Sequence, residues 1–403
     1  MTVASVAALV ALCLLVLAAL PAAVFVAVFC AQVLAAIRPL AEAAVRTKGH
    51  ARARIAVLVP AHDEASGIAR TLAAVTGQLH GNDRVLVVAD NCSDDTAAIA
   101  RAAGAQVVER FHDTDRGKGF ALAFGVDALR ADPPGLVVIL DADCELGPGA
   151  LDALAASVAA TDRPAQALYL MTAPADARLP RRLAQFAWRV RNRVRPAGWH
   201  RLGLPCQLMG TGMAFTWPML RSAPLANASI VEDMKLGIDL AAAGRPPVFC
   251  PDALVTSTFP ESTAATSTQR TRWEHGHLEM ILREVPGLLA AAWRRGDWRL
   301  VGMALDLCVP PLALLAALLL AGTVASALFS WWAADVTLVG AWLVLLATFI
   351  LAVLTAWRVH GSDLVRFVEL LSIPLYVAAK VPIYVRFIVR RERRWVRTDR
   401  DAP

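Results

Sequence analysis

None of the seven cysteines stands in a C-x-x-C pair, and the cysteine–histidine spacing of a zinc site occurs nowhere in the 403 residues. Cys13, Cys30 and Cys308 fall inside apolar runs, which argues against a disulfide framework and fits a reducing compartment. Charge is also scarce: 18% of residues are Asp, Glu, Lys or Arg, against 57% hydrophobic, and mean hydropathy is +0.50. The shortage is uneven. Val3 to Ile37 holds no charged residue, and apolar stretches return in the last third, while the middle has an ordinary charged content. An ordinary soluble domain is thereby excluded, and a soluble unit carried between membrane segments is implied. No basic residue precedes the first apolar run, and the run is too long for a cleaved signal peptide.

What charge there is has a pattern. The formal net charge is +6. The arginines cluster beside the hydrophobic segments, which points to membrane topology and anionic lipid rather than nucleic acid. Arg38, Arg46, Lys48, Arg52 and Arg54 follow the first apolar run, so the positive-inside rule places the middle domain in the cytoplasm. The expected layout is a transmembrane helix over 1–37, a cytosolic domain over 38–277 and an interfacial helix over 278–300. Two transmembrane helices follow within 301–357, one from Ala304 to Trp332 and one from Val336 to Trp357. The apolar stretch Phe367 to Val389 contains Glu369, Lys380, Pro374, Pro382 and Arg386 and precedes a basic tail from Arg390. It reads as interfacial or re-entrant within 358–403, giving three spans. The Ala-, Arg- and Leu-rich composition suits a bacterial chain, hence a multi-pass protein of the inner (cytoplasmic) membrane.

The middle domain alternates strand-like and helix-like stretches, the pattern of an α/β, Rossmann-like and mostly parallel sheet. Strands are expected at Ile55–Val59, Arg84–Ala89, Gln106–Val108, Leu136–Leu140, Ala167–Met171 and Met213–Thr216. Helices are expected from about Ser66 to Leu79, Ala97 to Ala103, Phe120 to Leu129, Leu183 to Arg195 and Glu232 to Ala243. Leu136 to Leu140 is a run of five aliphatic residues, as in a strand buried on both faces, and it ends in Asp141-Ala142-Asp143. Open α/β sheets place ligands at that edge. An oxygen-only pair suits a hard cation, Mg²⁺ or Mn²⁺. A turn would also use Asp there.

Other clusters follow in order. Pro60-Ala61-His62-Asp63-Glu64 ends the first strand, Asp90 ends the second, and Lys118 lies between two glycines. Gly210-Thr211-Gly212 would let backbone approach a ligand closely. Glu232-Asp233 opens a helix, where acidic residues also serve simply as first-turn residues. Gln269-Arg270-Thr271-Arg272-Trp273 comes last. His275 and His277 could reach a metal or diphosphate, but a lone His is more often a satisfied surface residue.

With these residues assembled, the sequence resembles the family 2 glycosyltransferases of GT-A fold. It looks most like the membrane-embedded branch with the cellulose, hyaluronan, chitin and poly-N-acetylglucosamine synthases. The resemblance covers roughly Ile55 to His277. It implies an inverting transfer from a UDP-sugar to a glycan or polyprenyl-linked acceptor, with Asp143 and Asp141 on a divalent cation. It further implies Asp233 as catalytic base with Glu232 as its structural partner. Pro60, Glu64, Asp90, Lys118, Asp141, Gly212, Gln269, Arg272 and Trp273 become substrate-binding positions. Two departures stand out. The family's Asp-Asp-Gly is Ala89-Asp90-Asn91 here, and the Thr of its Thr-Glu-Asp is Val231. Q-x-x-R-W favours repeated addition, whereas three spans are few for a polymer channel, which an oligomer or a partner subunit would have to complete. Two other classes are a non-catalytic scaffold of a polysaccharide assembly complex and a nucleotide sensor using the tail residues Arg390 and Arg394.

Overall fold

A computed structural model describes residues 3–38, 52–174, 176–226, 231–259, 263–333 and 336–389. The basic residues Arg46, Lys48 and the tail from Arg390 lie outside them. The first apolar run is α1 (Val3–Ala35). The domain then alternates β1 (Ile55–Ala61), α2 (Ile68–Thr76), β2 (Arg84–Asp90), α3 (Thr96–Ala102), β3 (Gln106–Arg110), α4 (Lys118–Ala128) and β4 (Leu136–Ile139). Next come β5 (Glu145–Leu146), α5 (Ala150–Thr161), β6 (Ala165–Thr172), α6 (Leu179–Arg189), α7 (Arg195–Arg201), β7 (Met213–Thr216), α8 (Trp217–Arg221), α9 (Glu232–Ala242) and β8 (Val248–Thr258). The last third is helical: α10 (Thr263–Arg295), α11 (Trp298–Cys308), α12 (Leu312–Ala333), α13 (Thr337–His360), α14 (Ile373–Ala378) and α15 (Val381–Val389).

All eight strands join one sheet in the order β3-β2-β1-β4-β7-β6-β8-β5. The first four run parallel. β7 is antiparallel to β4 and to β6, and β5 to β8, while β6 and β8 are parallel, so the sheet is mixed. Successive side chains of a strand face opposite sides. Ile55, Val57 and Val59 therefore join one core with Ile68, Leu72 and Leu151, and Ala56 and Leu58 join another with Leu122, Leu220 and Leu236. Both faces are covered, which is why β1, β2 and β4 read as continuous aliphatic runs.

Several expectations need correction. β8 is an eleven-residue interior strand that the sequence hides behind Pro251-Asp252. Its register against β6 shifts between Ala167 and Leu168: Ala167 faces Cys250 and Leu168 faces Leu254. Pro251 lies in that bulge, where a missing N–H costs no ladder bond. The span expected from Ala304 is two helices, because Pro310 and Pro311 end the helix and α12 begins at Leu312. The expected helix from Leu183 is longer, continuing from α6 through a π-turn, Val190–Val194, into α7.

Four segments among the described residues are long and apolar enough to cross a membrane: Val6–Ala35, Leu312–Ala333, Thr337–His360 and Phe367–Val389. The last is broken into a 3₁₀ turn, Phe367–Ser372, then α14 and α15. These segments pack on one another and on the domain through Phe29, Val33, Trp199, Leu319, Trp342 and Phe349. Trp331 and Trp332 are exposed at the end of α12, as interface aromatics are. Trp357, the end of the second expected span, instead packs on Phe367 and donates its indole N–H to Val365 O at 2.7 Å.

A buried polar knot joins α1 and α11 to the domain. Arg195 of α7 donates to Gln32 Oε1 of α1 at 2.9 Å and to Asp306 Oδ1 of α11 at 2.9 Å. Gln32 closes the triangle by donating to Asp306 Oδ1 at 2.7 Å. Gly198 has no room for a Cβ, since the backbone of Gln32 lies against it. Arg52 and Arg54, expected as membrane-flanking charges, pair within the domain: Arg52 with Asp83 and Asp152, Arg54 with Asp132.

Candidate functional site

The parallel half of the sheet delivers its loops to one edge. There the β1–α2 and β2–α3 loops are laced together. His62 Nδ1 and Asp90 O lie 2.7 Å apart, the amide of Glu64 donates to Thr96 Oγ1 at 2.8 Å, and the amide of Ser93 donates to Asp63 Oδ1 at 2.6 Å. Asp63 and Asn91 both take positive φ, 53°, at these turns. Pro60 pairs with Val88 at the C-terminal end of β1. Asp90 is buried, and its Oδ1 accepts from Arg110 Nη1 at 2.6 Å and from Asn91 Nδ2 at 3.0 Å. Arg110 also donates to Asp115 O at 2.7 Å and lies over the ring of Phe120.

Beyond β4, the amide of Asp141 donates to Thr211 Oγ1 at 3.0 Å, and Thr71 Oγ1 donates to Ala142 O at 2.7 Å. Both bonds fix the turn that carries the two aspartates. Lys118 is not a solvated loop residue. As the first residue of α4, it turns its ammonium onto Asp141 Oδ1 and donates to Gly210 O at 2.7 Å. Burial opposes that charge, but Asp141, Glu232 and Asp233 together hold the ammonium above its ordinary range. Gly210 (φ +88°) and Gly212 (φ +64°) need left-handed backbone that a side chain disfavours. A Cβ on Gly210 would lie 3.2 Å from Asp233 Oδ2, so the glycine loop and the α9 carboxylates meet there.

Glu232 and Asp233 occupy the first turn of α9, where the helix N-terminus favours negative charge. Asp233 Oδ1 accepts from the amide of Met234 at 2.8 Å. Burial, and then the neighbouring Asp233, push the Glu232 carboxyl up to about 7. Burial also raises Asp233, against the pull of Lys118, the Met234 amide and Arg191.

The Q-x-x-R-W residues sit on the first turns of α10. Gln269 is buried and Arg272 partly buried, while Trp273 lies 5.1 Å from Trp188, ring centre to ring centre. Trp188 in turn meets Tyr169 and Phe259 edge-on, so one face of Trp273 is committed to packing. His275 and His277 are both buried. His275 Nε2 lies 2.9 Å from Ile383 O and His277 Nε2 3.0 Å from Leu307 O. Burial drives His277 down to about 3. Neither bond is made toward the carboxylates; both fasten the apolar segments to α10.

Ligand atoms of Asp141, Asp143 and Cys144 lie within 4.8 Å of one another. Burial, then the flanking aspartates, hold the Cys144 thiol well above its ordinary range, so it stays protonated. The donor set is therefore two carboxylates, which fits a hard divalent cation and not a thiophilic one.

Residues 51–276, more than half of the chain, match the family model described as Glycosyltransferase like family 2. The chain belongs to that family. Its sheet, parallel in the first half and mixed beyond, is the GT-A arrangement, and the apolar helices precede and follow it along the chain. No curated protein matches the sequence. Solved structures similar to this glycosyltransferase include mannosyltransferase PcManGT from Pyrobaculum calidifontis in complex with GDP-Man and Mn²⁺. The identity is 20% and the TM-score 0.47, covering 83% of this chain and 98% of that one. Another is glucosyl-3-phosphoglycerate synthase from Mycobacterium tuberculosis with Mn²⁺, UDP and glucosyl-3-phosphoglycerate, at 20% identity and TM-score 0.37, covering 56% and 80%. The same synthase with Mg²⁺ and UDP gives 20% and 0.37, covering 56% and 79%.

Sequence reasoning passed over two arginines of this glycosyltransferase. Arg110, the last residue of β3, holds Asp90. Its only signal was the parallel register, which sets Arg110 beside Asp90 once both strands are drawn. Arg191 fell within the helix expected from Leu183 to Arg195 without being singled out, and the π-turn that places it leaves no mark in the sequence.

Proposed function

We propose that the chain is an inverting, metal-dependent glycosyltransferase. It moves a hexosyl or N-acetylhexosaminyl group from a UDP-sugar to a glycan or polyprenyl-linked acceptor. The work is done at the cytoplasmic face of a bacterial inner membrane, in polysaccharide biosynthesis. One observation carries this reading: Lys118 gathers Asp141 and the Glu232–Asp233 pair around one point at the sheet edge. Asp141 and Asp143 would hold Mg²⁺ or Mn²⁺, the ions bound in the solved relatives, and such an ion stabilises charge on a leaving diphosphate.

The chain's own groups supply the rest. Asp233 Oδ2, on the Gly210 side, is the atom that takes the proton from the acceptor hydroxyl. A raised carboxyl beside a cation is suited to general-base work near neutral pH. Asp90 keeps Oδ2 for a base N–H, since Arg110 and Asn91 both engage Oδ1. Arg272 and Gln269 engage the diphosphate and the acceptor end, and Trp273 offers its other face to a sugar ring. The re-entrant reading of 367–389 is supported by its break and by two ion pairs to the domain, Arg182–Glu369 and Lys380–Glu274.

The test uses full-length protein in nanodiscs, a panel of UDP-sugars, and Mn²⁺, Mg²⁺ or EDTA. UDP release from one donor, lost with EDTA and in Asp143→Asn and Asp233→Asn, is the expected result. Wild-type turnover by Asp233→Asn would remove the assigned base. Products on one radiolabelled acceptor, as a ladder or a single band, decide between polymerisation and one addition.

A further inference from the structure

The π-turn Val190–Val194 inserts a residue into an otherwise regular helix, and such turns recur at functional sites. Arg191 stands at its second position. Its guanidinium lies 5.7 Å from the ring centre of Trp188, the ring that also packs on Trp273 at a 40° tilt. The neighbouring arginines are committed elsewhere: Arg182 to Glu369, Arg189 to Asp363 and Arg195 to Asp306. Arg193 is exposed to solvent. Arg191 is partly buried, and among the described residues it has no hydrogen-bond acceptor and no ion-pair partner. It lies near enough to Asp233 for their charges to act on each other.

A half-buried guanidinium that has an aromatic ring beside it and no acceptor among the described residues is open to an anion. The planar fork matches two oxygens of one phosphate, and stacking on an aromatic ring fixes its plane. We propose that Arg191 is a phosphate-binding residue on the catalytic-base side of the site, held in aim by the Trp188 ring and its contact with Trp273. Two substrate groups share that chemistry: the leaving diphosphate of the donor and the phosphate of a lipid-linked acceptor. The inference rests on the transferase reading above.

The experiment uses the full chain in nanodiscs as wild type, Arg191→Met and Arg191→Lys. It reads the Kd of UDP with Mn²⁺, the Kd of a short-chain polyprenyl phosphate, donor turnover and the melting temperature. Arg191→Met is expected to weaken one of the two ligands about ten- to a hundred-fold with melting unchanged. Arg191→Lys should recover only part of the loss, because an ammonium lacks the fork. Loss confined to UDP assigns the donor diphosphate, and loss confined to the polyprenyl phosphate assigns the acceptor. Unchanged affinities for both, or equal losses in both variants with a lowered melting temperature, overturn the proposal. A wild-type protein that neither binds UDP nor turns over any nucleotide sugar overturns the transferase reading itself, and this inference with it.

Discussion

Lys118 and Asp141 form an ion pair across the gap between the start of α4 and the end of β4, and the same ammonium reaches Gly210 O. The pair does two things at once. It fixes the turn that carries Asp143, and it brings positive charge to the carboxylates of α9.

Removing that ammonium leaves Asp233 with burial raising its carboxyl and less to oppose it. A base works deprotonated, so activity is lost as pH falls through its pKa. Lys118→Met is therefore expected to move the acid limb of the kcat/KM–pH profile upward and to lower the plateau about tenfold or more. A profile with an unmoved limb would disconnect Lys118 from the base.

Glu232 makes the opposite demand on stability. Its folded-state carboxyl is raised to about 7 by burial, above the ordinary carboxylate value of an unfolded chain. Stability from the neutral form is complete below the unfolded value and is lost as pH rises through about 7. Glu232→Gln should thus melt close to wild type at pH 4 and about 2–4 °C higher at pH 8, in metal-free protein. Thermal-shift curves at the two pH values check it, and an equal offset at both would contradict it.

Gly212 combines a left-handed φ with neighbours that leave no space. A Cβ there would stand 2.7 Å from both Ala167 Cβ and Val255 Cγ2. Gly212→Ala is expected to cost about 1–3 kcal/mol. It should also lower turnover, because Thr211 next to it receives the amide of Asp141. Melting and kcat measured on one preparation test whether both fall together.

Asp306 is held by Arg195 and Gln32 in a buried triangle. Asp306→Ala strands the guanidinium, at about 3–5 kcal/mol. The double change Arg195→Met with Asp306→Leu should recover most of that, since no buried charge remains. Detergent-resistant melting of wild type and the two variants is the measurement, and a double variant no better than the single one would count against it.

The legible parts of the fold were those where one residue type did one job. The aliphatic runs of β1, β2 and β4 and the order of the carboxylate clusters showed themselves because both-sided burial and charge chemistry leave composition behind. β8 did not, because a bulge lets a strand contain Pro251 and Asp252. The start of α4 was blurred by glycines on both sides of Lys118. The break between α11 and α12 was written in Pro310-Pro311, but the surrounding apolar run outweighed it. The arginines were hardest. A guanidinium beside an apolar stretch looks lipid-facing until tertiary approach shows Arg195 on Asp306 and Arg52 on Asp83.

The triangle of Gln32, Arg195 and Asp306 changes what the first helix is. It is not a leash that can be cut to release a water-soluble enzyme. Trimming it would open the seam where Gly198 meets Gln32, strip an acceptor from Arg195 and bare Trp199 and Val194 to solvent. A shortened protein would begin life with a hole in its own interior. The apolar helices and the transferase domain are one folding unit, and they would have to be made, extracted and studied together.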